Sequence, residues 1–162
     1  MHVHEETLAT FYRAFAALEP QGMARCYAPA VRFRDPVFDL NGRDEVMGMW
    51  TMLCEAVRTR GRDDWKLAFS GIVADASTGR AHWEATYRFG ATGRLVHNII
   101  DAQVRFDTDG LITQHVDSFD FWRWSRQALG APGLLLGWSP LLLRQVQARA
   151  NAGLRKHLAS RR

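Results

Sequence analysis

From Glu5 to Leu18 the apolar residues Leu8, Phe11, Tyr12, Phe15 and Leu18 recur at helical spacing, and Pro20 ends the segment. A short second helix is predicted over Gln21 to Tyr27, with Met23 and Cys26 or Tyr27 turned inward and Pro29 closing it. Ala30 to Phe38, which contains Arg34-Asp35-Pro36-Val37, reads as a strand closed by a turn at Asn41-Gly42. A third helix from Arg43 to Arg58 sets Val46, Met49, Trp50, Leu53 and Val57 on one face.

From Asp64 the period changes to two. Trp65, Leu67 and Phe69 share one parity; so do Trp83, Ala85, Tyr87 and Phe89, and so do Val96, Asn98, Ile100, Ala102, Val104 and Phe106. Leu111 to Trp122 alternates again, with His115, Asp117, Phe119 and Phe121 on one face. Thr78-Gly79, Ala91-Thr-Gly93 and Asp107-Thr-Asp-Gly110 break these runs as hairpin turns do, so the four strands are expected to form an antiparallel meander. The helical period then returns. Trp122 to Leu129 is a short helix ended by Gly130, and Ser139 caps a last helix that has Pro140 at its first position and runs to about His157. Helices followed by a curved antiparallel sheet make the fold class α+β.

Length and charge narrow the choices. A chain of 162 residues fits one domain. Two cysteines, Cys26 and Cys54, cannot build a disulfide framework and fit a reduced, cytoplasmic chain. The N-terminus, Met-His-Val-His-Glu-Glu, is polar and acidic, unlike a signal peptide, and the apolar run Ala131 to Leu143 is too short and broken to span a bilayer. Net charge is +4, but residues 140–162 hold six bases and no acid, and the other 139 residues carry 15 bases against 17 acids. The basic character therefore belongs to the tail, and the body is not a nucleic-acid binder.

The order helix, helix, strand with Arg34-Asp35-Pro36-Val37, helix, four long strands, with Arg105-Phe106-Asp-Thr-Asp-Gly110-Leu-Ile in a hairpin, resembles the nuclear-transport-factor-2-like superfamily of SnoaL-like cyclases and ketosteroid isomerases. The resemblance covers roughly Glu5 to Phe121. It implies a cone: a bent sheet wrapped around the N-terminal helices, with one deep, mostly apolar pocket at the open end. It also implies a homodimer joined through the convex sheet face. The boundaries expected are a cone domain over 1–130 and, over 131–162, an apolar strap and basic helix packed on that domain.

The same resemblance makes Asp35 a candidate proton-shuttling base, since a carboxylate at the mouth of an apolar pocket loses hydration and becomes basic near neutrality. The plainer reading is a solvated cap on the turn before Pro36. The tyrosine and protonated aspartate that hold an enolate in ketosteroid isomerases align with Phe11 and Ala102. Their neighbours Tyr12 and Asp101 lie about a hundred degrees around a helix and on the opposite strand face, respectively. Authentic ketosteroid isomerisation is therefore not expected.

His115 and Asp117 sit two apart on a strand, on one face, with α-carbons roughly 6.5 Å apart. Charged groups sharing a face with Phe119 and Phe121 need partners, a pocket or water. SnoaL-like cyclases carry a His and an Asp acid/base in the comparable cavity; a brace within the cone is the alternative. Asn98, Trp83, Tyr87, Phe119 and Trp50 are expected to line the hollow as ligand contacts, although for Trp50 and Phe33 plain core packing is favoured. His97 is expected to face outward with Asp101.

No metal site is expected, because His2-Val3-His4 alone is a poor ligand set. No phosphate loop, zinc-spaced cysteines or hydrolase elbow is present, so any chemistry is expected to need no cofactor. Two classes of function follow. One is an acid/base isomerase, cyclase or hydrolase for a small, mostly apolar molecule. The other is a non-catalytic ligand-binding or dimerising domain. For the tail, an extra helix covering hydrophobic surface is favoured over a lid on the pocket and over a basic amphipathic helix at a membrane.

Overall fold

His2 opens the first helix, α1 (Val3–Ala16): its ring accepts from the His4 amide and Glu5 reaches back to the His2 amide. His4 stacks on Phe106 and bonds the Asp75 carbonyl at 2.9 Å. Both histidines thus hold the N-terminus in place. The structure, a computed structural model, describes residues 2–161. Within them no group of His, Cys, Asp or Glu is arranged to hold a metal.

After α1, Pro20 starts α2 (Pro20–Ala24), which is shorter than the sequence predicts because the chain is already extended at Tyr27. The remaining elements are β1 (Tyr27–Arg34), β2 (Asp39–Asn41), α3 (Arg43–Arg60), a 3-10 turn (Arg62–Asp64), β3 (Lys66–Ala74), β4 (Thr78–Arg88), β5 (Leu95–Phe106), β6 (Ile112–Ser118), α4 (Phe121–Leu129), α5 (Ala131–Leu136) and α6 (Pro140–Ser160). The sheet is curved and open, in the order β2-β1-β6-β5-β4-β3. β3 to β6 form the antiparallel meander, and β1 joins its edge parallel to β6.

Two boundaries differ from the pattern. The expected strand Ala30–Phe38 breaks at Asp35, whose side chain caps a turn into β2. The last strand stops at Ser118, because Asp120 accepts from the Arg123 amide at 3.0 Å and starts α4. Phe121 therefore belongs to a helix rather than to the strand face.

The inner face of the sheet packs on α1 and α3. Phe11, Tyr12 and Phe15 from α1 meet Trp50 from α3 and Trp83 from β4 in a core of edge-on and tilted rings. Cys26 and Cys54 are both buried and unpaired. Where β6 has run out, Gln127 of α4 substitutes for a strand, taking both the N–H (2.8 Å) and the C=O (3.1 Å) of His97. α6 packs on α3 through Leu154 and Leu158 against Gly48. No helix among the described residues is long and apolar enough to cross a membrane.

Candidate functional site

The strand parity read from the sequence is the parity of the structure: His115 and Asp117 both point into the cone, 1% and 3% exposed. Nε2 of His115 lies 2.9 Å from Oδ1 of Asp117. Nδ1 of His115 lies 2.7 Å from the Tyr27 hydroxyl, which accepts from the Trp50 indole at 3.0 Å. The Trp83 indole donates to Asp117 Oδ1 at 3.4 Å. With Trp50 donating to its oxygen, Tyr27 satisfies its own O–H only by pointing it at His115 Nδ1. His115 then carries its proton on Nε2, and every donor in the chain Trp50, Tyr27, His115 is directed toward Asp117. Burial holds the Tyr27 hydroxyl well above its ordinary pKa, so it stays a donor.

Asp35 stands beside this network. β1 and β6 run parallel with Phe33 opposite His115 and Arg34 opposite Val116, and Asp35, which follows the last paired residue, is close enough to feel the charges of both Asp117 and His115. Its Oδ1 accepts from the amides of Val37 (2.7 Å) and Phe38 (2.6 Å), and its other oxygen has no partner among the described residues. Burial pushes its pKa up to about 7, against the pull of those amides, and the charge of Asp117 adds to the rise while His115 opposes it. The capping role and the desolvated position thus belong to the same carboxylate.

The other expected contacts divide. Trp50 and Trp83 are buried and their indole N–H groups are used inside the core. Asn98 is buried on the inner face of β5, and its amide has no partner among the described residues. Tyr87 is half-buried and accepts from the Trp124 indole at 2.8 Å, and Phe119 bridges the main core and the small cluster under α4. α4 thereby packs against the ends of β4 and β5. α6 reaches the rim of the site: Gln147 donates to the Pro36 carbonyl (3.0 Å) and Asn151 to the Val37 carbonyl (3.4 Å).

Two clefts stand out, and neither opens on Asp35 or His115. One, about 580 Å³, lies on the outer sheet face by Arg80, Gln103, Arg105 and Gln114. The other, about 500 Å³, lies between Arg60, Asp64 and Arg88. Aromatic side chains fill the interior around His115, with Phe11, Phe33 and Trp50 edge-on or tilted against its ring.

Tyr27, expected at a helix end, instead begins β1; its odd parity, shared with Val31 and Phe33, is the signal in the sequence that marks it as inward. Tyr12 is fully buried, its hydroxyl has no partner among the described residues, and burial together with the charge of Asp117 raises its pKa. Asp101 faces outward, 2.9 Å from His82, and His97 lies 3.3 Å from Glu84 on that outer face.

The profile of the SnoaL-like domain matches residues 8–115. The chain belongs to the SnoaL-like family. No curated protein matches this SnoaL-like chain. Among solved structures it is similar to a nuclear-transport-factor-2-like protein of unknown function from Burkholderia pseudomallei (20% identity, TM-score 0.64, 80% of this chain and 99% of that one). It is also similar to IdmH, a candidate polyketide cyclase from Streptomyces antibioticus (19%, 0.61, 78% and 98%). A candidate polyketide cyclase from a Silicibacter species is likewise similar (18%, 0.60, 77% and 94%). At these identities the likeness is one of fold. The match to the SnoaL-like domain ends before Asp117, α4, α5 and α6.

Proposed function

We propose that this SnoaL-like protein is an acid/base enzyme, an isomerase, cyclase or hydrolase, acting on a small, mostly apolar molecule at the end of the cone where Asp35 stands. The observation that carries the reading is Asp35 itself, a desolvated carboxylate that feels the charges of Asp117 and His115 and keeps one oxygen free of protein partners among the described residues. A group of this kind calls for a ligand or water. Asp35 takes a proton from the substrate and returns it at a second position, as a carboxylate with a pKa near neutrality does best. Asn98 binds a substrate carbonyl or hydroxyl, and Tyr87 and Phe119 form the apolar wall. Asp117, oriented by His115, is the alternative base or holds the charge that keeps Asp35 basic. The reaction proposed uses no cofactor.

The aromatic filling around His115 favours a second reading, a ligand-binding or dimerising domain whose polar chain only braces the cone. In both readings we propose a homodimer through the outer sheet face, where His82, Glu84, His97 and Asp101 form exposed pairs.

The test is a screen of cyclic ketones, epoxides and polyketide-like substrates with the native protein, Asp35→Asn and Asp117→Asn. Turnover that falls at least about a hundredfold in Asp35→Asn supports the enzyme. Turnover unchanged in both variants refutes the catalytic assignment. Ligand-induced thermal stabilisation without turnover supports the second reading.

A further inference from the structure

Helix α5 presents its apolar residues the wrong way round for a packing element. The positions that meet the protein are glycines. A Cβ on Gly133 would lie 1.9 Å from the Ser125 carbonyl oxygen, and one on Gly137 would lie 2.2 Å from the Ser125 hydroxyl. These two residues let α5 lie flat on α4. The large side chains project outward: Leu134 is 53% exposed, Leu135 67%, Leu136 50%, Trp138 74% and, in the first turn of α6, Leu141 64%. Trp122, 40% exposed, extends the patch, with its indole donating to the Leu134 carbonyl at 3.3 Å and the Arg126 guanidinium 4.3 Å above its ring. A contiguous exposed apolar surface of this kind marks an interaction site.

Charge identifies the occupant. From residue 121 to 162 there are eight Lys and Arg and no Asp or Glu, whereas the other 120 residues carry thirteen bases against seventeen acids. On α6, Leu142 and Leu154 face the protein, while Leu141 shares the outward face with the exposed Arg144, Arg149, Arg155 and Lys156. A second copy docked on this patch would bring arginines against arginines with no acid to pair them. A surface that takes leucine and indole into its outer layer and offers phosphates to arginine satisfies both features.

We propose that α5 and the start of α6 form a peripheral docking surface for anionic lipid bilayers. Leu134, Leu135, Trp138 and Leu141 enter the headgroup layer, and Arg144, Arg149, Arg155 and Lys156 engage lipid phosphates alongside. The proposal stands on the tail alone and holds whether or not Asp35 is catalytic.

The experiment is co-sedimentation of the full chain with phosphatidylcholine vesicles, with and without phosphatidylglycerol, at low and high salt. The native protein is expected to sediment with the anionic vesicles at low salt and to be released by high salt. Leu135→Asp with Trp138→Asp, and separately Arg144→Glu with Arg149→Glu, are each expected to weaken binding about tenfold or more while circular dichroism stays native. Failure to sediment, equal binding to neutral vesicles, or binding indifferent to both double variants overturns the proposal. So does a dimer in light scattering that Leu135→Asp dissociates, since it would assign the patch to a second copy.

Discussion

The Tyr27 hydroxyl lies 2.7 Å from Nδ1 of His115, joining the first strand to the last one and donating to the imidazole nitrogen that carries no proton. Tyr27→Phe removes the donor, leaves His115 Nδ1 without a partner and orphans the Trp50 indole. The expected cost is about 2–3 kcal/mol of stability, read by denaturant unfolding. Nitrogen chemical shifts of His115 should show the Nε2-protonated form in both proteins, because Asp117 still accepts from Nε2, with the Nδ1 resonance moved in the variant by the loss of its hydrogen bond.

Asp35 makes stability depend on pH in an unusual direction for a carboxylate. Its folded pKa of about 7 lies above its ordinary value of 3.8, so the folded state holds the proton more tightly. Its contribution is complete below 3.8 and is lost as pH rises through about 7. Asp35→Asn keeps the acceptor for the Val37 and Phe38 amides and removes a half-buried charge. The variant is expected to be more stable than the native protein by on the order of 2 kcal/mol above neutrality, with no advantage in acid. Unfolding curves across pH check this; a constant offset would show that the carboxyl is not desolvated.

Leu154 is 3% exposed and seats α6 on α3. Leu154→Ala is expected to cost about 2–4 kcal/mol. Because Gln147 and Asn151 on the same helix hold the Pro36 and Val37 carbonyls, the variant should also speed hydrogen exchange at the amides of Val37 and Phe38. Exchange unchanged at those two amides would mean that α6 does not brace the Asp35 turn.

Glycines in the tail should respond in opposite directions. Gly133→Ala drives a methyl into backbone of α4 and is expected to lower stability by about 1–3 kcal/mol. Gly153, within α6, has nothing within 4 Å of an added Cβ, so Gly153→Ala is expected to raise stability by about 0.5–1 kcal/mol. Thermal melting of the two variants side by side is the check.

Much of this protein was readable from residue order because periodicity is a local property. Alternation alone put His115, Asp117 and Asn98 on the inner face, and helical spacing alone placed Leu8, Phe11 and Trp50 in the core. The uneven charge was equally plain, since it needs only counting. Contacts between distant segments were not readable. The parallel pairing of β1 with β6 carries the Tyr27 hydroxyl to His115 and leaves Asp35 within reach of the Asp117 charge, and no local pattern encodes which strand a sheet edge will accept. Ring packing decided how little room remains around the imidazole. The leucines after Gly133 read as something to be buried, yet two glycines pressed against Ser125 turn them to the outside, because close backbone approach is settled by the shape of the neighbouring helix and not by hydrophobicity.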